Sequence, residues 1–64
     1  MTAYTYIDIQ DQDGNILLTT GEMILAIEFI KEQNLNQIDQ VVLPEISEEG
    51  DLTGQNIIVI TVGE

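Results

Sequence analysis

The chain has 64 residues with twelve acidic side chains against a single basic one, Lys31, and a formal net charge of −11. It has neither cysteine nor histidine, which excludes disulfides, thiolate or imidazole metal sites, and the usual Ser-His or Cys-His nucleophiles. So acidic a surface repels phosphate, so direct nucleic-acid binding and nucleotide chemistry are disfavoured.

Acidity of this degree can mean disorder, but 44% of the residues are hydrophobic, and their regular placement argues for one folded domain over residues 1–64. A domain this small buries only about 60% of the surface of its unfolded chain, so a second subunit is the supplement the composition still permits. The opening "MTAYTYIDIQ" has no basic n-region and no continuous apolar run. A soluble, cytoplasmic protein without a membrane span is expected.

Ala3 to Gln10 alternate as a strand, with Thr5, Ile7 and Ile9 on one face and Tyr4, Tyr6 and Asp8 on the other. "DQDGN" follows, then "ILLT". Asp-Gly between two apolar runs is a hairpin pattern, because glycine accepts the positive φ of the turn. A calcium loop fails on register: with Gly14 sixth, the first ligand position falls on Ile9 and the last on Thr20, where the loop needs an oxygen ligand and a glutamate.

"TTGEMILAIEFIKEQN" is the helix, with Thr19 or Thr20 as cap and Glu22 at capping-box spacing from Thr19. Met23, Ala26, Ile27 and Ile30 form the stripe expected to pack on a sheet. Leu25 and Phe29 are expected among Glu22, Glu28 and Glu32 on the opposite side. Asn34 and Asn36 are candidate helix terminators, with Leu35 tucked under the end.

"IDQVVLPEI" is a third strand, ending near Pro44. "SEEGDLTGQ" is a loop, and "NIIVITV" is the last strand. Ile57, Ile58, Val59 and Ile60 do not alternate, so both faces of that strand should be covered. One helix covers only one face. The expected fold is therefore α+β: a small β-β-α-β-β domain, an antiparallel or mixed sheet with one helix packed on one face.

No motif for catalysis, a cofactor or a metal emerges. Carboxylates in "EISEEGD" read as a solvated loop. The combination of size, charge and element order resembles small phage or mobile-element inhibitors that mimic DNA, such as inhibitors of restriction, of CRISPR effectors or of uracil-DNA glycosylase. The resemblance implies a protein that occupies the basic groove of a nucleic-acid-handling enzyme or effector, and no motif carries residue roles across. On this reading Asp8, Asp11, Asp13, Glu28, Glu32, Glu48, Glu49 and Asp51 are the partner-binding carboxylates, acting by charge complementarity. Leu25, Phe29, Tyr4 and Tyr6 are the apolar assembly residues of a homodimer. The alternative is a small acidic homodimeric adaptor or structural subunit. Mimicry needs the acids on one face, whereas an adaptor can scatter them.

Overall fold

The computed structural model describes residues 4–64. Strands β1 (Tyr4–Gln10) and β2 (Ile16–Thr20) precede helix α1 (Met23–Glu32), and β3 (Asn36–Ile46) and β4 (Leu52–Gly63) follow it. They form one four-stranded mixed sheet in the order β2-β1-β4-β3. The β1–β2 and β3–β4 pairs are antiparallel hairpins, and β1 and β4 meet in parallel at the centre. Ala3, at which the sequence pattern begins the first strand, lies outside the described residues.

The core forms on the helix side of the two central strands, β1 and β4. Ile7 and Ile9 of β1, Ile58, Ile60 and Val62 of β4, and Ala26 and Ile30 of α1 are buried together. Their strand positions alternate, so they share one face of the sheet. The helix lies mainly over β1 and β2. Nothing among the described elements covers the opposite face.

Both hairpin turns have the same construction. At the first, the Asp11 N–H donates to the Asn15 carbonyl (2.9 Å) and the Gly14 N–H to the Asp11 carbonyl (3.1 Å). At the second, Ser47 donates to Asp51 (2.8 Å) and Gly50 to Ser47 (2.9 Å). Gly14 and Gly50 sit at φ of +88° and +92°, a conformation that disfavours any side chain. The first residue's side chain accepts from the last residue's N–H in both: Asp11 from Asn15, Ser47 from Asp51. The segment read as a loop, "SEEGDLTGQ", is thus a tight turn flanked by paired strands. β3 continues past Pro44 to Ile46 because it is an edge strand, where a missing N–H need not break a ladder.

The helix departs from expectation at its start and on its buried side. No capping box forms. Thr19 belongs to β2, opposite Asp8, and its hydroxyl donates to that carboxylate (2.6 Å). Thr20 Oγ1 instead accepts the Glu22 N–H (3.2 Å). The inward stripe consists of the buried Ala26 and Ile30 with the half-buried Met23 and Phe29 packed against the core, while Ile27 is 43% exposed. Phe29 was expected outside and Ile27 inside. The i, i+3 spacing from Met23 and Ala26 reaches Phe29, and burying the larger ring removes more apolar area from water.

The helix ends as the asparagine pattern suggested. Asn34 adopts φ +54°. Its N–H donates to the Lys31 carbonyl (3.1 Å), and the Leu35 N–H reaches back to Ile30 (3.0 Å). That pair of bonds is the Schellman motif, and Leu35 packs against the core beside it.

Candidate protein-binding surface

The open face of the sheet can be mapped from register. Tyr6, Ile57 and Leu43 lie side by side across β1, β4 and β3; Asp8, Val59 and Val41 form the next row; Gln10, Thr61 and Asp39 the third. These positions alternate with the buried Ile7, Ile9, Ile58 and Ile60, so they point away from the helix. Two hydrogen bonds confirm that neighbours in these rows share a face: Thr19 Oγ1 donates to Asp8 and Gln10 Nε2 to Thr61 Oγ1 (3.1 Å). Tyr6, Ile57, Leu43, Val59 and Val41 therefore make one apolar block, edged by Asp8 on β1 and Asp39 on β3.

Tyr4 does not join Tyr6 there. The register slips between the two, and Tyr4 packs against the helix-side core. Phe29 is likewise turned inward, and of the apolar assembly candidates only Tyr6 and the exposed Leu25 remain outside the core.

The carboxylates are distributed over the whole molecule, whose extents are 37 × 25 × 15 Å. Asp11 and Asp13, in the β1–β2 turn, share one end of the sheet with Glu32 at the helix C-terminus and with Glu64. Glu48, Glu49 and Asp51, in the β3–β4 turn, occupy the other end. Strand polarity requires this, since β1 and β4 run parallel and end together while β4 begins at the far turn. Glu28 lies on the exposed helix surface and Asp8 on the open sheet face. No polar or charged side chain among the described residues is buried, as expected of unpaired carboxylates.

Asp11 differs from the other acids. Its carboxylate accepts from the Asp13 N–H (2.9 Å), the Asn15 N–H (2.8 Å) and Asn15 Nδ2 (3.1 Å). The Asn15 backbone bond, then its side-chain bond, holds Asp11 below its ordinary value of 3.8. It acts as a turn fastener. An open concavity of about 380 Å³ lies beside it, lined by residues 11–13, Leu17, Leu35 and residues 62–64. Among the described residues no group of three or more acids converges as a metal site. No helix of the described residues is long and apolar enough to cross a membrane.

The sequence reading missed Val41, Leu43 and the outward half of β4 as a joint surface. The signal was there as two alternating sets in "DQVVLPE" and "NIIVIT", but it needs the β3–β4 register to become one patch. Compared with known proteins, the chain matches no family model, no curated protein and no solved structure.

Proposed function

We propose that this protein is a small acidic adaptor that pairs with a second copy through its open sheet face and presents carboxylates to a basic protein. It carries out no catalysis on this reading. The supporting observation is the uncovered block of Tyr6, Val41, Leu43, Ile57 and Val59. Sheet faces of this kind are stabilised by packing against another layer, and a contiguous apolar patch is a common mark of a protein contact. Acids standing at both ends of a 37 Å body fit an adaptor better than a phosphate mimic, which needs them along one face.

Sedimentation at micromolar concentration tests the pairing. The expected species has twice the 7.1 kDa chain mass, and Val59→Asp should return it to monomer. A wild-type monomer overturns the reading. The inhibitor that mimics DNA or RNA is the second reading, favoured by the −11 charge with a single lysine. It requires that the captured basic partner exchange this protein for DNA. Simultaneous binding of both leaves the adaptor.

A further inference from the structure

We infer that the free edge of β3 is a strand-addition site for an extended segment of a basic protein, with basic residues flanking two alternate apolar ones. The inference rests on the adaptor reading and specifies how the basic partner is held. The sheet has two edges. The β2 edge is only five residues long, too short to template much pairing. The β3 edge runs for eleven, and every residue except Glu45 is exposed. A further strand on this edge would pair mainly through its carbonyls, because the Gln40 N–H already donates to Asp39 Oδ1 (2.9 Å) and Pro44 has no N–H; such pairing is the basis of peptide recognition by strand addition.

Charge decides the occupant. Asp39 and Glu45 stand at the two ends of an uncharged run, Gln40 to Pro44, about 20 Å apart at strand rise. Asp39, Val41 and Leu43 share the open face by register with Thr61, Val59 and Ile57. Glu45 follows two residues after Leu43, where the β3–β4 register shifts, and its Oε1 accepts from Thr53 Oγ1 (2.8 Å). A strand laid along this edge therefore meets acid, apolar, apolar, acid at alternate positions. The complement is basic, apolar, apolar, basic at the same spacing.

A second copy is the poorer occupant. Antiparallel self-pairing centred on Val42 sets Asp39 opposite the other copy's Glu45, and like charges directly opposed destabilise a sheet. The same acids that deter self-association attract a basic strand, so one feature gives both exclusion and selection.

The test is a synthetic heptapeptide, Lys-Thr-Val-Thr-Val-Thr-Lys, titrated to about 1 mM into the full chain while backbone amide resonances are followed. Its pattern reads identically in both directions, so strand polarity need not be assumed. Expected are shifts and new hydrogen-exchange protection along β3. A Glu-for-Lys peptide should bind about tenfold more weakly or worse, and Asp39→Lys, which leaves Glu45 in place, should shrink that preference. Three outcomes overturn the inference: no shift on β3, shifts confined to the open face or helix, or equal binding of both peptides. Protection of β3 amides in the free chain that disappears on dilution also overturns it, and gives the edge to a second copy. A chain that dimerises but leaves β3 untouched by peptide defeats this site alone, not the adaptor reading.

Discussion

Single residues in this fold act mainly through backbone geometry. Asp11 shows it best, because its carboxylate ties together three donors of its own turn and has its proton affinity lowered by them. In the unfolded chain those donors are dispersed and the group returns to its ordinary value of 3.8. The folded pKa is thus below the unfolded one, so the stabilisation is complete above that value and is lost as pH falls through the folded one. Thermal melts in this acid range should show Asp11→Ala melting lower than wild type at neutral pH, with the gap closing as the solution is acidified. A constant gap would mean that the side chain acts by turn propensity and not through its charge. Gly14→Ala and Gly50→Ala should each cost roughly 1–2 kcal/mol by the left-handed backbone alone, since an added Cβ meets nothing within 4 Å at either site. The first turn was readable because Asp, Gly and Asn occur together between apolar runs. The second uses Ser47 where the first uses Asp11, and its extra acids and the nearby Gly54 gave it the look of a longer loop. Composition alone does not separate the two; the matching hydrogen bonds do.

Elements are specified more firmly than their partners. The helix stops where a residue of left-handed φ closes two bonds, so Asn34→Ala should cost about 1 kcal/mol and Asn34→Gly should be neutral or slightly stabilising. Chemical denaturation of the two variants against wild type measures this, and an equal loss for both would implicate the Asn34 side chain instead. Ile60 is 1% exposed at the centre of the sheet. Ile60→Ala should cost about 2–5 kcal/mol, comparable to the whole stability of a small domain, and should leave the chain largely unfolded at room temperature. Alternation, turn residues and the apolar stripe made four strands and one helix legible. The continuous apolar run at Ile57 to Ile60 suggested a strand covered on both faces; β4 is central in the sheet, with Ile58 and Ile60 buried on the helix side and Ile57 and Val59 on the open face. What could not be read was that β1 and β4 meet in parallel, since any two apolar strands satisfy the same pattern. The helix rotation was also hidden: Ile27 and Phe29 are both apolar, and the choice between them depends on where the sheet lies. That choice in turn removed Phe29 from the candidate interface, while the unread β3–β4 register concealed the open-face patch.

At the scale of the whole molecule, charge and apolar surface make opposite demands on the surrounding salt. A net charge of −11 sits on a body whose shortest extent is 15 Å. At 0.01 M salt the screening length is about 30 Å, longer than that dimension, so acids on all sides repel one another; at 0.1 M it is about 10 Å and most pairs are screened. Added sodium chloride should therefore raise the melting temperature, and should also tighten a dimer, because the open faces bring two like-charged bodies together. A basic strand on the β3 edge should respond the other way, since Asp39 and Glu45 attract it through the same screened field. The two kinds of contact are separable by sign. Sedimentation across a salt series should show self-association strengthening, while peptide titrations on the same series show binding weakening. The reason is physical and does not depend on partner identity: salt weakens attraction and repulsion alike, so only the sign of the charge product distinguishes them. Dimerisation that weakens with salt would mean that the copies join through complementary charges, with Lys31 as the only side-chain cation able to supply them, and the open apolar face would lose its place as the interface.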